Sequence, residues 1–332
     1  MPDRLESLRA RVAAAREGDF GALALEVFAY QRKANPLYRE YLRLSGRADV
    51  APTAWTDIPC LPIQLFRGHD VRSGTWHPET TFRSSGTTGA QTSEMPVRDL
   101  RTYRAHCLQT FRALVGNPAD YTLLALLPGY LERGDSGLVA MVDDFVARAA
   151  PGSGFFLEDA EGLRAAVAKT RRDGGRVLLW GVTFALLELA RASPLVLPEG
   201  SLVMETGGMK GRGPELTRVQ LHEVLAKAFR VPVYSEYGMT ELSSQAYLTE
   251  GKRFRPAATL RAMARDLSDP YTLLHAGRQG ALNLYDLANL DTCAFLATED
   301  LGRVYADGRF EVLGRVDRSV ARGCNLLVAD VS

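Results

Sequence analysis

The sequence predicts an α/β fold of layered sheets with packed helices, closed by a small β-rich segment. Two observations carry this. Through the middle of the chain, short apolar runs alternate with helical stretches, which argues for largely buried strands covered by helices. Beyond about residue 280 the alternation stops and short strands follow one another directly.

The chain opens with helix, since Leu5, Leu8, Val12 and Ala15 fall at helical spacing within residues 1–32. Pro36, Pro52, Pro59 and Pro62 then punctuate a stretch expected to be irregular. A strand is expected at Thr80–Arg83 and another at Tyr121–Leu127, followed by a helix at 137–149. A strand at 176–180, more helix, a strand at 202–205, a helix at 215–229 and a β-rich run at 231–234 continue the pattern. At the C-terminal end, 281–287, 293–297, 303–305 and 309–313 read as four consecutive strands. The last two flank Ala306-Asp307-Gly308, a good hairpin turn because glycine tolerates positive φ. No internal repeat is visible, and the expected division is one large domain over 1–313 with a hinge and short tail over 314–332.

With 332 residues, 46% hydrophobic and 24% charged, the chain can bury a sizeable core. Forty Lys and Arg against 39 acids leave no global field to draw it to nucleic acid or an anionic membrane, so any anionic ligand must be held locally. No apolar run approaches the roughly 18 residues of a membrane span. Cys60, Cys107, Cys293 and Cys324 lie far apart, with no C-x-x-C pair, so neither a structural zinc nor a disulfide framework is expected. The expected setting is cytoplasmic, with reduced thiols. Cys60, Cys107 and Cys293 sit in apolar surroundings and read as packing residues, while His106, His222 and His275 have no partner motif.

The sharpest local signal is Ser84-Ser85-Gly86-Thr87-Thr88-Gly89, directly after the Thr80–Arg83 strand. Glycines let a backbone approach an anion, and hydroxyls and amides donate several hydrogen bonds without bulk, so the loop suits polyphosphate. The same composition also suits a solvated turn. No G-K-[ST] follows, which disfavours a Walker loop.

This loop resembles the phosphate loop of the adenylate-forming superfamily, which includes acyl-CoA synthetases, luciferases and peptide-synthetase adenylation domains. Three further segments resemble that superfamily's motifs in order: Tyr237-Gly238-Met239-Thr240-Glu241, Thr298-Glu299-Asp300-Leu301-Gly302 and Gly314-Arg315-Val316-Asp317-Arg318. The narrower resemblance is to acyl-protein synthetases of bacterial bioluminescence (the LuxE type) and the related phenylacetate-CoA ligases. It is carried by 126–133, 204–211, 235–245 and 322–327, which together span most of the chain. The resemblance implies ATP and Mg²⁺ as cofactors, a carboxylic acid as substrate, and CoA or an acyl-accepting or acyl-donating protein as partner. Ser84, Ser85, Gly86, Thr87, Thr88 and Gly89 would hold the β- and γ-phosphates, and Tyr237 and Gly238 would pack near adenine. Thr240 would bond the α-phosphate, Glu241 would hold the metal, and Asp300 and Arg315 would contact the ribose. Asp300 and Arg315 could instead be surface partners on a β-hairpin, and Tyr237 could be core. An acyl slot could be lined by Leu126, Tyr130, Val182, Phe184, Gly207, Gly208 and Met209, any of which could also be ordinary core.

Two departures matter. Superfamily members usually carry a C-terminal domain of about a hundred residues, bearing an adenylation lysine. Here eighteen residues follow Gly314, so that domain is expected to be largely absent. Lys210 is the candidate substitute for the lysine. The tail also places a thiol, Cys324, ten residues past Gly314. Ten residues reach about 33 Å, and a thiolate attacks a mixed anhydride readily. In the bioluminescence synthetases a cysteine near the C-terminus carries the acyl group, which implies that role for Cys324. Inert packing before Leu326-Leu327-Val328 is the competing reading.

Overall fold

The computed structural model describes residues 2–84, 92–127, 134–192, 195–207 and 216–316. Two units emerge: Met1–His106 with Met239–Gln245 and Arg255–Ser332, and Cys107–Gly238 with Ala246–Phe254.

The second unit is built on the expected alternation. Strands Thr122–Leu126, Val177–Val182, Leu202–Thr206 and Val233–Tyr237 pair in parallel, in that spatial order. Gly154–Phe155 adds in parallel beside the first, and Ala246–Leu248 runs antiparallel beside the last. The three strands in the middle of this set read as apolar runs because helices deny water to both faces. Helices Gly137–Arg148, Ala160–Arg172, Thr183–Ala192 and Arg218–Phe229 connect them. One face carries an aromatic cluster of Phe111, Phe145, Trp180 and Tyr247, with ring centroids 5.0–5.9 Å apart in the contacting pairs. On the other face Gly181 allows a close helix approach. A Cβ there would lie 2.9 Å from Leu186 Cγ and 3.1 Å from Leu126 Cβ.

The first unit holds an antiparallel sheet of Leu260–Arg265, Gln279–Asp286, Phe295–Val304 and Phe310–Arg315, with Leu61–Pro62 parallel to Phe295–Val304. Gly308, at φ 76°, makes the last turn as expected. Two expectations are corrected. The runs at 293–297 and 303–305 are one strand, Phe295–Val304, whose polar Thr298-Glu299-Asp300 stretch masks its continuity. The pairing with Phe310–Arg315 slips between Leu301 and Gly302, as at a bulge. Pro36 starts a helix, Pro36–Leu44, where an irregular stretch was expected. It occupies the first turn, where its missing N–H costs nothing. Asn35 caps that helix, its side chain accepting from the Tyr38 amide at 2.9 Å. A small hairpin, Thr80–Arg83 with Glu94–Val97, completes the unit.

Among the described residues no helix is long and apolar enough to cross a membrane. Cys60, Cys107 and Cys293 are buried free thiols, as expected. Burial pushes Cys60 and Cys293 up to about 12, which leaves them protonated and unreactive.

Candidate active site

In the first unit the expected phosphate loop is gathered at its base. The Ser93 amide donates to Ser84 Oγ at 2.9 Å, and the Ser84 amide donates to the Ser93 carbonyl at 3.0 Å. The two ends of the loop are therefore pinned together on the hairpin. Ser85 to Gly89 lie outside the described residues. The Ser93 hydroxyl hydrogen-bonds the Glu241 carboxylate. Thus the base of one motif touches the acid of another, although some 150 residues separate them in sequence.

Glu241 is buried, and burial pushes its carboxyl above the ordinary range. The Ser93 bond and the charges of Arg67 and Arg315 pull the other way. Arg315 also lies 3.3 Å from Asp300 Oδ1, and the two residues are register partners on adjacent antiparallel strands. The pair is thus a cross-strand pair, and it stands beside Glu241. Arg67 approaches Glu299 at 4.0 Å, and Gln64 donates to Glu299 at 2.9 Å. Ser93, Arg67 and Gln64 had no sequence signal, because each reaches the site only through tertiary contact.

The segment Met239–Gln245 that carries Thr240 and Glu241 is held by side chains. Asp286 accepts from the Ser243 and Ser244 amides at 2.8 Å each and from Ser244 Oγ at 2.6 Å. Asn289 accepts from the Ser243 amide at 3.0 Å and donates to the Glu241 carbonyl at 2.7 Å. His106 Nε2 lies 2.9 Å from Ser244 Oγ and 3.2 Å from Thr259 Oγ1. Burial lowers the His106 pKa and favours the neutral ring. Ser, His and Asp together invite comparison with a hydrolase triad, but the connectivity differs. Here the carboxylate bonds the serine rather than orienting the imidazole. Ser244 is also fully buried.

Mg²⁺ fits this donor set in one way only. Among the described residues no group of three or more His, Cys, Asp or Glu could cage a metal. A single carboxylate suits a cation whose other ligands come from a bound phosphate and water.

In the second unit, the carboxyl ends of the parallel strands collect polar groups, the place where open α/β sheets bind ligands. Thr183 and Ser235 hydroxyls donate to Glu205 at 2.7 Å each, and His222 Nε2 lies 2.8 Å from Ser235 Oγ. On the next row the Thr206 hydroxyl donates to Glu236. Burial pushes Glu236 up to about 7 and moves His222 down to about 4. Tyr237 packs 5.7 Å from Phe254, whose ring lies under Arg218 at 4.6 Å. Leu126 and Val182 are buried, Phe184 is half-buried on the first turn of its helix, and Gly207 and Gly238 are exposed. Tyr130, Gly208, Met209, Lys210 and Cys324 lie outside the described residues.

No family model matches the sequence, and no curated protein matches it. Solved structures do. MatB from Rhodopseudomonas palustris, solved with ATP bound, has a TM-score of 0.53 at 19% identity over 71% of this chain and 47% of its own. O-succinylbenzoate coenzyme A synthetase (MenE) from Bacillus subtilis, in complex with ATP and magnesium ion, has 0.52 at 17% over 72% and 50%. 2-Hydroxyisobutyryl-CoA ligase (HCL), in the postadenylation state with R3-HIB-AMP, has 0.64 at 14% over 96% and 69%. The chain spans about half the length of MatB and MenE. At these identities the likeness establishes architecture alone: the chain shares the α/β fold of these proteins.

Proposed function

We propose that this chain activates a carboxylic acid with ATP as an acyl-adenylate and passes the acyl group to a thiol. One observation carries the reading: Ser84 and Ser93, which flank the hydroxyl-rich segment, pair with each other, and Ser93 lies beside Glu241, with Arg67, Arg315 and Asp300 alongside. Such a cluster offers amides and hydroxyls to a polyphosphate, one hard oxygen ligand to Mg²⁺, and a guanidinium and carboxylate to ribose hydroxyls. The fold is that of enzymes solved with ATP, with ATP and magnesium, or with an acyl-AMP.

In the first half-reaction a carboxylate oxygen bonds the α-phosphorus and the bond to pyrophosphate breaks. Glu241 would hold Mg²⁺, whose charge, when bound, offsets that developing on the phosphates. Ser84 to Gly89 would grip the phosphates being expelled, and Thr240 would donate to the α-phosphate. Tyr237 and Gly238 would flank the adenine. In the second half-reaction a thiolate bonds the acyl carbon and AMP leaves with the electron pair. The preferred thiol is Cys324, with onward transfer to an acceptor protein, and a fatty acid is the preferred substrate. Both preferences rest on the resemblance to the LuxE type. Lys210 would supply a cation to the reacting carboxylate and phosphate.

A second reading, ligation to free CoA, is favoured by the coenzyme A synthetase and the CoA ligase among the structural matches. Carboxylate-dependent exchange of pyrophosphate into ATP, over a panel of acids with and without CoA, tests both. The first half-reaction predicts exchange, and its absence with every acid sinks the proposal. Radiolabelled acyl group retained on denatured protein and lost in Cys324→Ala supports the carrier role. Full CoA ligation by Cys324→Ala overturns it.

A further inference from the structure

We propose that Asp286, together with Asn289, positions Glu241 for its cation by fixing the backbone that follows it. The inference rests on the reading of Glu241 as the Mg²⁺ ligand. Between strands Val233–Tyr237 and Ala246–Leu248 the chain has no ladder of its own, yet Glu241, Ser243, Ser244 and Gln245 are all buried. Buried amides need partners, and the two that follow Leu242 both find the same one. Asp286, fully buried, accepts from Ser243 N, Ser244 N, Ser244 Oγ and Ala288 N at 2.6–3.1 Å, which occupies both of its oxygens. Asn289 completes the clamp from the other side, accepting from Ser243 N and donating to the carbonyl of Glu241 itself. Asn289 is anchored in turn: Gln31 Nε2 donates to its carbonyl at 2.9 Å, while Gln31 Oε1 accepts from the Ala294 amide.

Filling this volume with an apolar side chain would avoid the cost of burying a carboxylate. What the carboxylate provides and an apolar group does not is a fixed direction for two successive N–H bonds. Those bonds set the path of the chain two and three residues beyond Glu241. Outer groups of this kind tune a ligand that never touches them. Ser244, His106 and Thr259 then hold the Asp286 carboxylate side of the clamp through a shared hydroxyl. Glu241 therefore depends on two separate holds, Ser93 at its carboxylate and Asp286 with Asn289 at its backbone.

The test is metal binding read directly. Mn²⁺ binding by electron paramagnetic resonance, in the presence of a non-hydrolysable ATP analogue, is measured on wild type, Asp286→Asn, Asn289→Ala and Ser244→Ala. Metal-free binding of the analogue is measured alongside. Asparagine offers one acceptor where Asp286 offers two, so Mn²⁺ affinity should fall about tenfold to hundredfold while metal-free nucleotide affinity holds. Pyrophosphate exchange should recover as Mg²⁺ is raised. Asp269→Ala, which removes an acceptor from an exposed turn elsewhere in the unit, should leave Mn²⁺ affinity unchanged. Should Asp286→Asn fail to fold, Ser244→Ala keeps both amide bonds and should still weaken Mn²⁺ severalfold. Unchanged Mn²⁺ affinity in every folded variant, or an equal loss of metal and metal-free nucleotide, overturns the inference alone. A wild type with no metal-dependent nucleotide binding overturns the reading of the site, and this inference with it.

Discussion

Glu241 in the first unit and Glu236 in the second are five residues apart in sequence, and both are buried carboxyls pushed upward by desolvation. Their surroundings differ. Glu241 feels the charges of Arg67 and Arg315 and a hydrogen bond from Ser93. Glu236 has one hydroxyl, from Thr206, and a second carboxyl, Glu205, close enough to oppose its ionisation. One acid is thus supplied with what favours its charge, and the other with what favours its proton. Burial alone does not mark a functional carboxylate; the sign of the groups around it distinguishes the proposed ligand Glu241 from Glu236.

The sharpest way to break this contrast is Glu241→Gln. Pyrophosphate exchange should fall on the order of hundredfold to thousandfold, the scale of losing a charge-stabilising group in phosphoryl chemistry. The melting temperature should hold or rise, because a desolvated carboxyl has been removed. Glu236→Gln should do far less to exchange. Comparable losses in the two variants would show that the distinction drawn from their neighbours is mistaken.

The second test concerns pH. The folded-state pKa of Glu236, about 7, lies above its ordinary 4.5. The folded chain therefore holds a proton that the unfolded chain releases. The associated stability is complete below pH 4.5 and is lost as pH rises through 7, amounting to on the order of 3 kcal/mol. Glu236→Gln cannot lose it. Melts from pH 4 to 8 should show variant and wild type diverging above pH 4.5, with the variant the more stable at pH 8. A difference that stays flat with pH would place the proton elsewhere. His222 works in the opposite sense. Its pKa falls from 6.5 to about 4, so its stability is present above pH 6.5 and lost toward pH 4. Partial exposure reduces the effect to about 1 kcal/mol, and His222→Gln should soften the acid limb by that amount.

The two units were unequally legible in sequence. In the second, Thr122–Leu126 and Val177–Val182 are apolar runs followed by helices, so period and composition locate them within a residue or two. The polar ends of the neighbouring strands were harder. Glu205 closes the expected strand 202–205 and Glu236 lies just past the expected run 231–234, and nothing local says that Thr183, Ser235 and Thr206 arrive to satisfy them. In the first unit, the residues proposed to act on the nucleotide lie in contiguous motifs, so Glu241, Asp300 and Arg315 could be singled out from sequence. Their supports could not. Asp286 and Asn289 sit more than forty residues from the segment they hold, and His106 joins them from helix Leu100–Leu114. Asp300 even cost accuracy elsewhere, since the polar triplet it belongs to split the strand Phe295–Val304 in the reading.

The smallest effects sharpen the contrast between units held by remote side chains and by local ones. Both Asn35 and Thr217 cap helices. Asn35 is fully buried, and beyond the Tyr38 amide its own amide group donates to the Thr292 carbonyl at 3.1 Å, far along the chain. Thr217 is solvent-exposed, and its partner Gln220 lies in the same turn. Asn35→Ala removes a cap and strands buried backbone groups, so it should cost about 2–3 kcal/mol in urea unfolding. Thr217→Ala breaks a capping box that water can replace, and should cost about 0.5–1 kcal/mol. If the two variants cost the same, the remote contacts of Asn35 add nothing to its cap. The first unit would then owe its assembly to its apolar core, as the second does.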